Sequence, residues 1–167
     1  NRHNVQDILD SLLASIGELL VSPTVSIDLL DGEDVIVTYA ATPGQPLTVG
    51  DRMRRGEGGF LSWQAIDSHK PAVLDDYSTW AQRRMLYEGF PIRAILIAPI
   101  IQRTKAIGAL NFLRFEPGQV FGPMEVEIAT RLAETVALVL DNAQTYSQLQ
   151  TEIAERKRVE AELRASQ

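Results

Sequence analysis

From Pro123 to the last residue the sequence offers nothing that would stop a helix, and this run constrains the fold more than any other feature. Phe121-Gly122-Pro123 starts it, with proline at an early helical position and Glu125 and Glu127 in the positively polarised first turn. Ile128, Leu132, Val136, Val139 and Leu140 give the first half a face to bury. From Ser147 onward the character changes. Glu152, Glu155, Glu160 and Glu162 balance Arg156, Lys157, Arg158 and Arg164, and the apolar residues thin to Leu149, Ile153, Val159 and Leu163. Leu132, Val139, Tyr146 and Ile153 recur every seven residues, with Ile128, Leu149 and Leu163 in companion positions; Asn142, Arg156 and Glu160 interrupt the seam. A solvated single helix and a dimeric coiled coil both fit. The coiled coil is favoured, because a long polar helix with few apolar residues needs a partner to be stable. A single helix over this span would reach roughly 65 Å at 1.5 Å per residue, which is more than the globular part could cover.

The 167 residues, 45% hydrophobic and 23% charged, suit one domain plus such an appendage. The net charge of -6, from 16 basic and 22 acidic residues, repels a polyanion, so no nucleic-acid partner is expected. Arg52, Arg54 and Arg55 do not reverse this, since Asp51 and Glu57 flank them. The chain has no cysteine, which removes disulfides, thiolate catalysis, cysteine zinc sites and thioether attachment of a chromophore. The longest apolar run, Ala94 to Ile101, falls far short of the roughly 18 residues of a membrane span. No secretory-leader pattern opens the sequence. A cytoplasmic segment without membrane contact is expected.

Apolar spacing at Val5, Ile8, Leu9, Leu12, Leu13, Ile16, Leu19 and Leu20 predicts a first helix, ended by Ser22-Pro23. Val25, Ile27 and Leu29 alternate with Ser26 and Asp28 as a half-buried strand. Asp31 to Asp34 turns the chain, and Val35 to Tyr39 runs back. Ala40 to Pro46 reads as loop and Leu47 to Arg54 as a further strand. Phe60 to Ile66 has helical spacing, Ala72 to Leu74 is a short strand, and Asp75-Asp76 begin a loop or helix through Trp80 toward Tyr87. Ile92 to Ile101 and Ala106 to Arg114 are two long strands joined by a polar hairpin.

The glycines of Gly56-Glu57-Gly58-Gly59 fit no nucleotide loop. A dinucleotide fingerprint wants glycine or alanine where Leu61 stands, and a phosphate loop wants a lysine that is absent. Their expected role is to permit positive backbone dihedrals before the helix. Asp75 and Asp76 point apart as neighbours, so capping or turn formation is favoured over an acid–base couple, with a part in orienting a ligand as the alternative. His3 and His69 have no second ligand at helical spacing, and no catalytic triad can be assembled on them. Tyr39, Phe60, Trp63, Tyr77, Trp80, Tyr87 and Phe90 concentrate in the irregular connections. Such aromatics are core lids in most proteins, and they also build small-molecule pockets over one face of a sheet.

Taken in order, Arg55 to Phe60, His69 to Tyr77 with Trp80, Ile95 to Ile100, Ala106 to Phe112, Phe121 to Glu125 and Leu140 to Tyr146 resemble a GAF domain, from about Val5 to Tyr146. The tail from Glu152 to Arg164 resembles the helical linker that joins sensor modules, often into a PAS domain, in bacterial histidine kinases. The resemblance implies an α+β fold. An antiparallel sheet of five or six strands would carry the terminal helices on one face and a pocket under loops and short helices on the other. It implies a sensor domain over residues 1–146 and a helical linker over 147–167 leading to a downstream PAS or kinase domain. The expected role is a regulatory module of a two-component phosphorelay, with no chemistry of its own. The alternatives are a ligand-free dimerisation or spacer module, and a module of a transcription activator or a cyclic-di-nucleotide enzyme. The pocket candidates are Tyr39, Phe60, Trp63, Asp75, Asp76, Tyr77 and Trp80, for a small-molecule ligand. Leu132, Val139, Tyr146, Leu149, Ile153 and Leu163 are the candidates for a homodimeric signalling helix. Relatives that attach a bilin or reduce methionine sulfoxide work through cysteine, so neither activity is expected. The cyclic-nucleotide pattern of the family is matched only at Phe121 and Glu125. No cofactor is named by the sequence.

Overall fold

In the computed structural model, which describes residues 2–41, 48–80 and 91–166, the first apolar stripe winds into α1 (Arg2–Leu19). Leu9, Leu13, Ile16 and Leu20 are buried. The helix closes through Ser22 N–H donating to the Gly17 carbonyl at 2.8 Å, with Val21 at a φ of 51°. Left-handed backbone is costly for a β-branched residue. Val21 is 63% exposed, so its side chain buries little in return. Val21→Gly is expected to raise the unfolding free energy by about 1 kcal/mol, the relief of left-handed strain exceeding the entropy that glycine adds to the unfolded chain. Urea denaturation would read this as a higher midpoint at an unchanged slope.

Six strands form one sheet in the order β3-β2-β1-β6-β5-β4, and every pairing is antiparallel. They are β1 (Thr24–Asp31), β2 (Asp34–Ala41), β3 (Arg52–Arg54), β4 (Ala72–Leu74), β5 (Ala94–Gln102) and β6 (Lys105–Arg114). The predicted strand from Leu47 shortens to Arg52–Arg54; residues 42–47 lie outside the described residues. So do Tyr87, Phe90 and the predicted continuation beyond Trp80. Pro99 sits in β5 without breaking it, because β4 covers only Ile95–Ile97 and the proline stands past the end of that pairing.

The sheet separates two apolar clusters. On one face α1 and α3 (Pro123–Ala165) pack against Val25, Ile27, Leu96, Ala98, Ile100, Leu110 and Phe112. On the other, α2 (Phe60–Ser68) packs with Met53, Tyr77, Ile95, Ile97, Ala109 and Leu113. Strand periodicity sends alternate residues to opposite sides, and a bulge resets that alternation in β2. Asp28 pairs with Val37 while Ile27 pairs with Tyr39, so Thr38 is the extra residue. Val35 faces the α2 cluster and Tyr39 packs against the helix cluster.

Helix α3 begins where Glu125 accepts a hydrogen bond from Gly122 N–H at 2.9 Å, one half of a capping box. Its buried residues are Ala129, Ala133, Val136 and Ala137, small enough to bring the helix close to the sheet. The 43-residue helix is unbroken, and every residue from Gln144 to Ser166 is exposed. No helix among the described residues is long and apolar enough to cross a membrane.

Candidate functional site

The face away from α1 and α3 encloses a cavity of about 70 Å³. Its floor comes from the strands: Asp28 on β1, Ile95 and Ile97 on β5, Asn111 and Leu113 on β6. Its cover comes from Met53 on β3, Gly59 to Ser62 at the start of α2, and Tyr77 and Trp80 around a short 3-10 turn (Tyr77–Thr79). Gly59 makes the entry into α2 with a φ of 61°, and a Cβ there would stand 2.9 Å from Met53 Cβ. Glycine therefore both turns the chain and lets Met53 close the cavity. Gly56 also has positive φ, as expected of this stretch.

Three of the predicted pocket residues meet here: Phe60, Tyr77 and Trp80. Tyr77 is buried, with its ring centroid 6.1 Å from that of the half-buried Trp80 at a tilt of 54°. Trp63 stands behind the cavity and does not line it. Its indole N–H donates to the Met53 carbonyl at 3.3 Å, and the Arg55 guanidinium lies 3.9 Å over its ring. Arg55 is in turn gripped by Asp67 at 2.6 and 3.1 Å. Trp63 thus fastens α2 to β3. The hydrogen bond from Arg55 holds the Asp67 carboxyl below its ordinary range.

Asp75 and Asp76 do not line the cavity. Asp75 is exposed at a bend. Asp76 caps the 3-10 turn, accepting from Ser78 N–H at 3.0 Å and from the Ser78 hydroxyl at 2.5 Å. The Ser78 hydroxyl, then the Ser78 amide and the charge of Arg93, hold its carboxyl below the ordinary value near 3.8. Tyr39 is on the wrong side of the sheet altogether, carried there by the bulge at Thr38.

The polar floor is the part that aromatic clustering in the sequence does not reveal. Asp28 is 1% exposed, and its carboxylate accepts from the Ser26 hydroxyl at 2.9 Å and from the Asn111 side-chain amide. Ser62, 3% exposed, adds a hydroxyl from α2. The available signal was the interruption of two apolar strands by Asp28 and Asn111, residues that turn up inside a core only when paired. Among the described residues no group of histidine, aspartate and glutamate could hold a metal ion.

On the helix face, Leu132 and Val139 are partly buried against the core, whereas Tyr146, Leu149, Ile153 and Leu163 are 54%, 51%, 52% and 60% exposed. The seam is therefore half inside the domain and half uncovered.

A sequence model of one family, the GAF domain, matches residues 2–141. A search of curated proteins finds no match. Among solved structures, the chain is similar to the GAF domain of a phosphoenolpyruvate-protein phosphotransferase from Coxiella burnetii, at 20% identity and a TM-score of 0.72, covering 86% of each chain. It is similar to a GAF domain/HD domain protein from Geobacter sulfurreducens at 18% identity and a TM-score of 0.70, covering 84% of this chain and 94% of that one. The GAF domain of a two-component sensor histidine kinase from Bacillus halodurans gives 18% identity and a TM-score of 0.67, over 83% of this chain and 97% of that one. At these identities the likeness is one of fold.

Proposed function

The chain belongs to the GAF domain family, and from that premise we propose that it is the sensory module of a larger signal-transduction protein, a histidine kinase in the leading reading. The observation that carries this is the uninterrupted α3. Its first half packs on the sheet that floors the cavity, and its second half leaves the domain with an apolar stripe uncovered. Two copies joined along Tyr146, Leu149, Ile153 and Leu163 would bury that stripe, with the terminal helices continuing the dimer. Residues from Ser147 onward are then the linker to a PAS or kinase domain. β6 supplies the coupling, since Asn111 faces the cavity while its neighbours Leu110 and Phe112 face the helices. A ligand would bias the helices by the difference of its affinity for two arrangements of that core.

Helical phase makes the test sharp. One residue inserted after Ser147 turns everything downstream by about 100°, whereas seven nearly restore the phase at 3.6 residues per turn. In the full-length protein, the single insertion is expected to change output activity at least several-fold, and the seven-residue insertion to return it toward the parent. Equal activity in all three proteins would refute transmission through α3. A second reading, a ligand-free dimerisation or spacer module, draws support from the small size of the cavity. Under it the insertions still matter, but enlarging the cavity with Phe60→Ala or Trp80→Ala leaves regulation unchanged.

A further inference from the structure

The uncovered stripe of α3 holds two charged positions that an apolar seam does not explain. Tyr146, Leu149, Ile153, Arg156, Glu160 and Leu163 succeed one another at alternating spacings of three and four residues, the repeat of a coiled-coil core. All six are exposed. Arg156 and Glu160 thus stand within the stripe itself, where joining two helices would bury their charge. On its own helix Arg156 turns back to Glu152 at 3.1 Å, and among the described residues the Glu160 carboxylate has no partner.

Orientation decides what these two residues meet. In a parallel pair in register, the Arg156 layer is followed ~6 Å along the axis by the Glu160 layer. Each guanidinium then reaches the partner's Glu160, and two arginines with two glutamates form one neutral cluster. At the edge of the same seam, Glu152 comes beside the partner's Lys157, a pairing of flanking positions that parallel coils use. Two antiparallel helices that keep the stripe joined set Tyr146 against Leu163, Arg156 against Ile153 and Glu160 against Leu149. Each charge would then be buried against an aliphatic side chain. A buried ionic layer adds little to affinity, but it penalises every arrangement that leaves it unpaired.

We propose that Arg156 and Glu160 form an ionic layer between chains, which selects a second copy of this chain in parallel and in register. The inference rests on the dimeric reading of α3 above and adds which way round the copies meet. Both folded domains then lie at one end of the joined rod.

Because the chain has no cysteine, a single introduced thiol reports the arrangement. Leu149→Cys places two sulfurs in one layer of the parallel pair, where mild oxidation joins them, whereas the antiparallel register holds them ~16 Å apart. In that background Arg156→Glu makes the layer wholly acidic and Glu160→Arg makes it wholly basic. Each variant alone is expected to cross-link about tenfold less than the parent. Mixed, they should form the cross-linked heterodimer about tenfold or more over either homodimer, the margin of one close charge coupling between chains. Pairs within one helix are the same in both kinds of dimer and do not affect this preference. All three positions lie on exposed helix, so the fold of the domain is not at stake. Random mixing of the two variants would overturn the ionic layer and leave the dimer standing, and so would cross-linking of each alone at the parent's level. A protein that sediments as a dimer yet fails to cross-link through Leu149→Cys would overturn the parallel register. Sedimentation of the parent as a monomer at high concentration would remove the dimeric reading of α3, and this proposal with it.

Discussion

Arg114→Ala is expected to lower the unfolding free energy by about 3–5 kcal/mol, the usual loss when one member of a buried charged network is removed. Arg114 ends β6 and is only 6% exposed. Its guanidinium donates to the Val120 carbonyl at 2.8 Å and the Val21 carbonyl at 3.3 Å, and also to the Leu20 carbonyl and the Glu125 carboxylate. It lies 4.1 Å over the Phe121 ring. One side chain thereby joins the end of α1, the end of β6 and the first turn of α3, and its loss strands a partly buried carboxylate and three carbonyls. For a domain of this size each kcal/mol is worth roughly 2–4 °C, so the melting temperature should fall by about 6–20 °C. Lysine should recover little, since a compact ammonium cannot replace a planar fork of donors. Calorimetry on the isolated domain checks this; a variant melting with the parent would mean that the junction is held by something else.

Gly108→Ala is expected to cost about 3 kcal/mol or more, although it adds a single methyl group. Gly108 pairs with Leu29 of β1 on one side and Ile100 of β5 on the other. A Cβ at this position would stand 2.2 Å from the Asp28 carbonyl oxygen and 3.0 Å from the Leu29 Cα. Both are backbone atoms in the middle of the sheet, so no side chain can rotate aside, and relief requires the two strands to separate. Overpacking ordinarily costs about 1–3 kcal/mol, and parting a central ladder adds lost hydrogen bonds. Guanidinium denaturation measures the loss, and hydrogen exchange should show faster opening at β1 and β6 than at β5. An unshifted midpoint would contradict the close approach of these strands.

Element types were readable because local periodicity and burial agree. The stripe from Val5 to Leu20, the alternation at Val25, Ile27 and Leu29, and the unbroken run after Pro123 each became the predicted element. What periodicity could not supply was the cover on the second face. Ser26 and Asp28 alternate like a solvent-facing edge, yet both are buried, and α2 and the turn at Tyr77 close over Asp28. Covering that face is a tertiary event, set by contacts between residues distant in sequence. Tyr39 failed for a related reason. Its parity matches Val35 and Val37 in the sequence, and only the inter-strand register shows the extra residue at Thr38 that turns it toward the helices. Asp76 behaved as a local rule predicts, capping a turn two residues away. Trp63 is also a local matter, engaged by Arg55 and Met53 nearby in the chain, and so it anchors a helix behind the cavity.

The exposed end of α3 also carries a dependence on ionic strength. As a lone strut it is braced by pairs one turn apart, Arg156 with Glu152 at 3.1 Å and Arg158 with Glu155 and Glu162 at 2.5 Å, all more than half exposed. Each is worth about 0.3–0.5 kcal/mol and weakens as salt shortens the Debye length below ~8 Å. Apolar contact along Leu149 and Ile153 is strengthened, if anything, by the same addition of salt. The stiffness of an unpaired arm therefore yields more to electrolyte than that of a joined pair, whose apolar seam is retained, and the gap between the two widens as the medium becomes more saline.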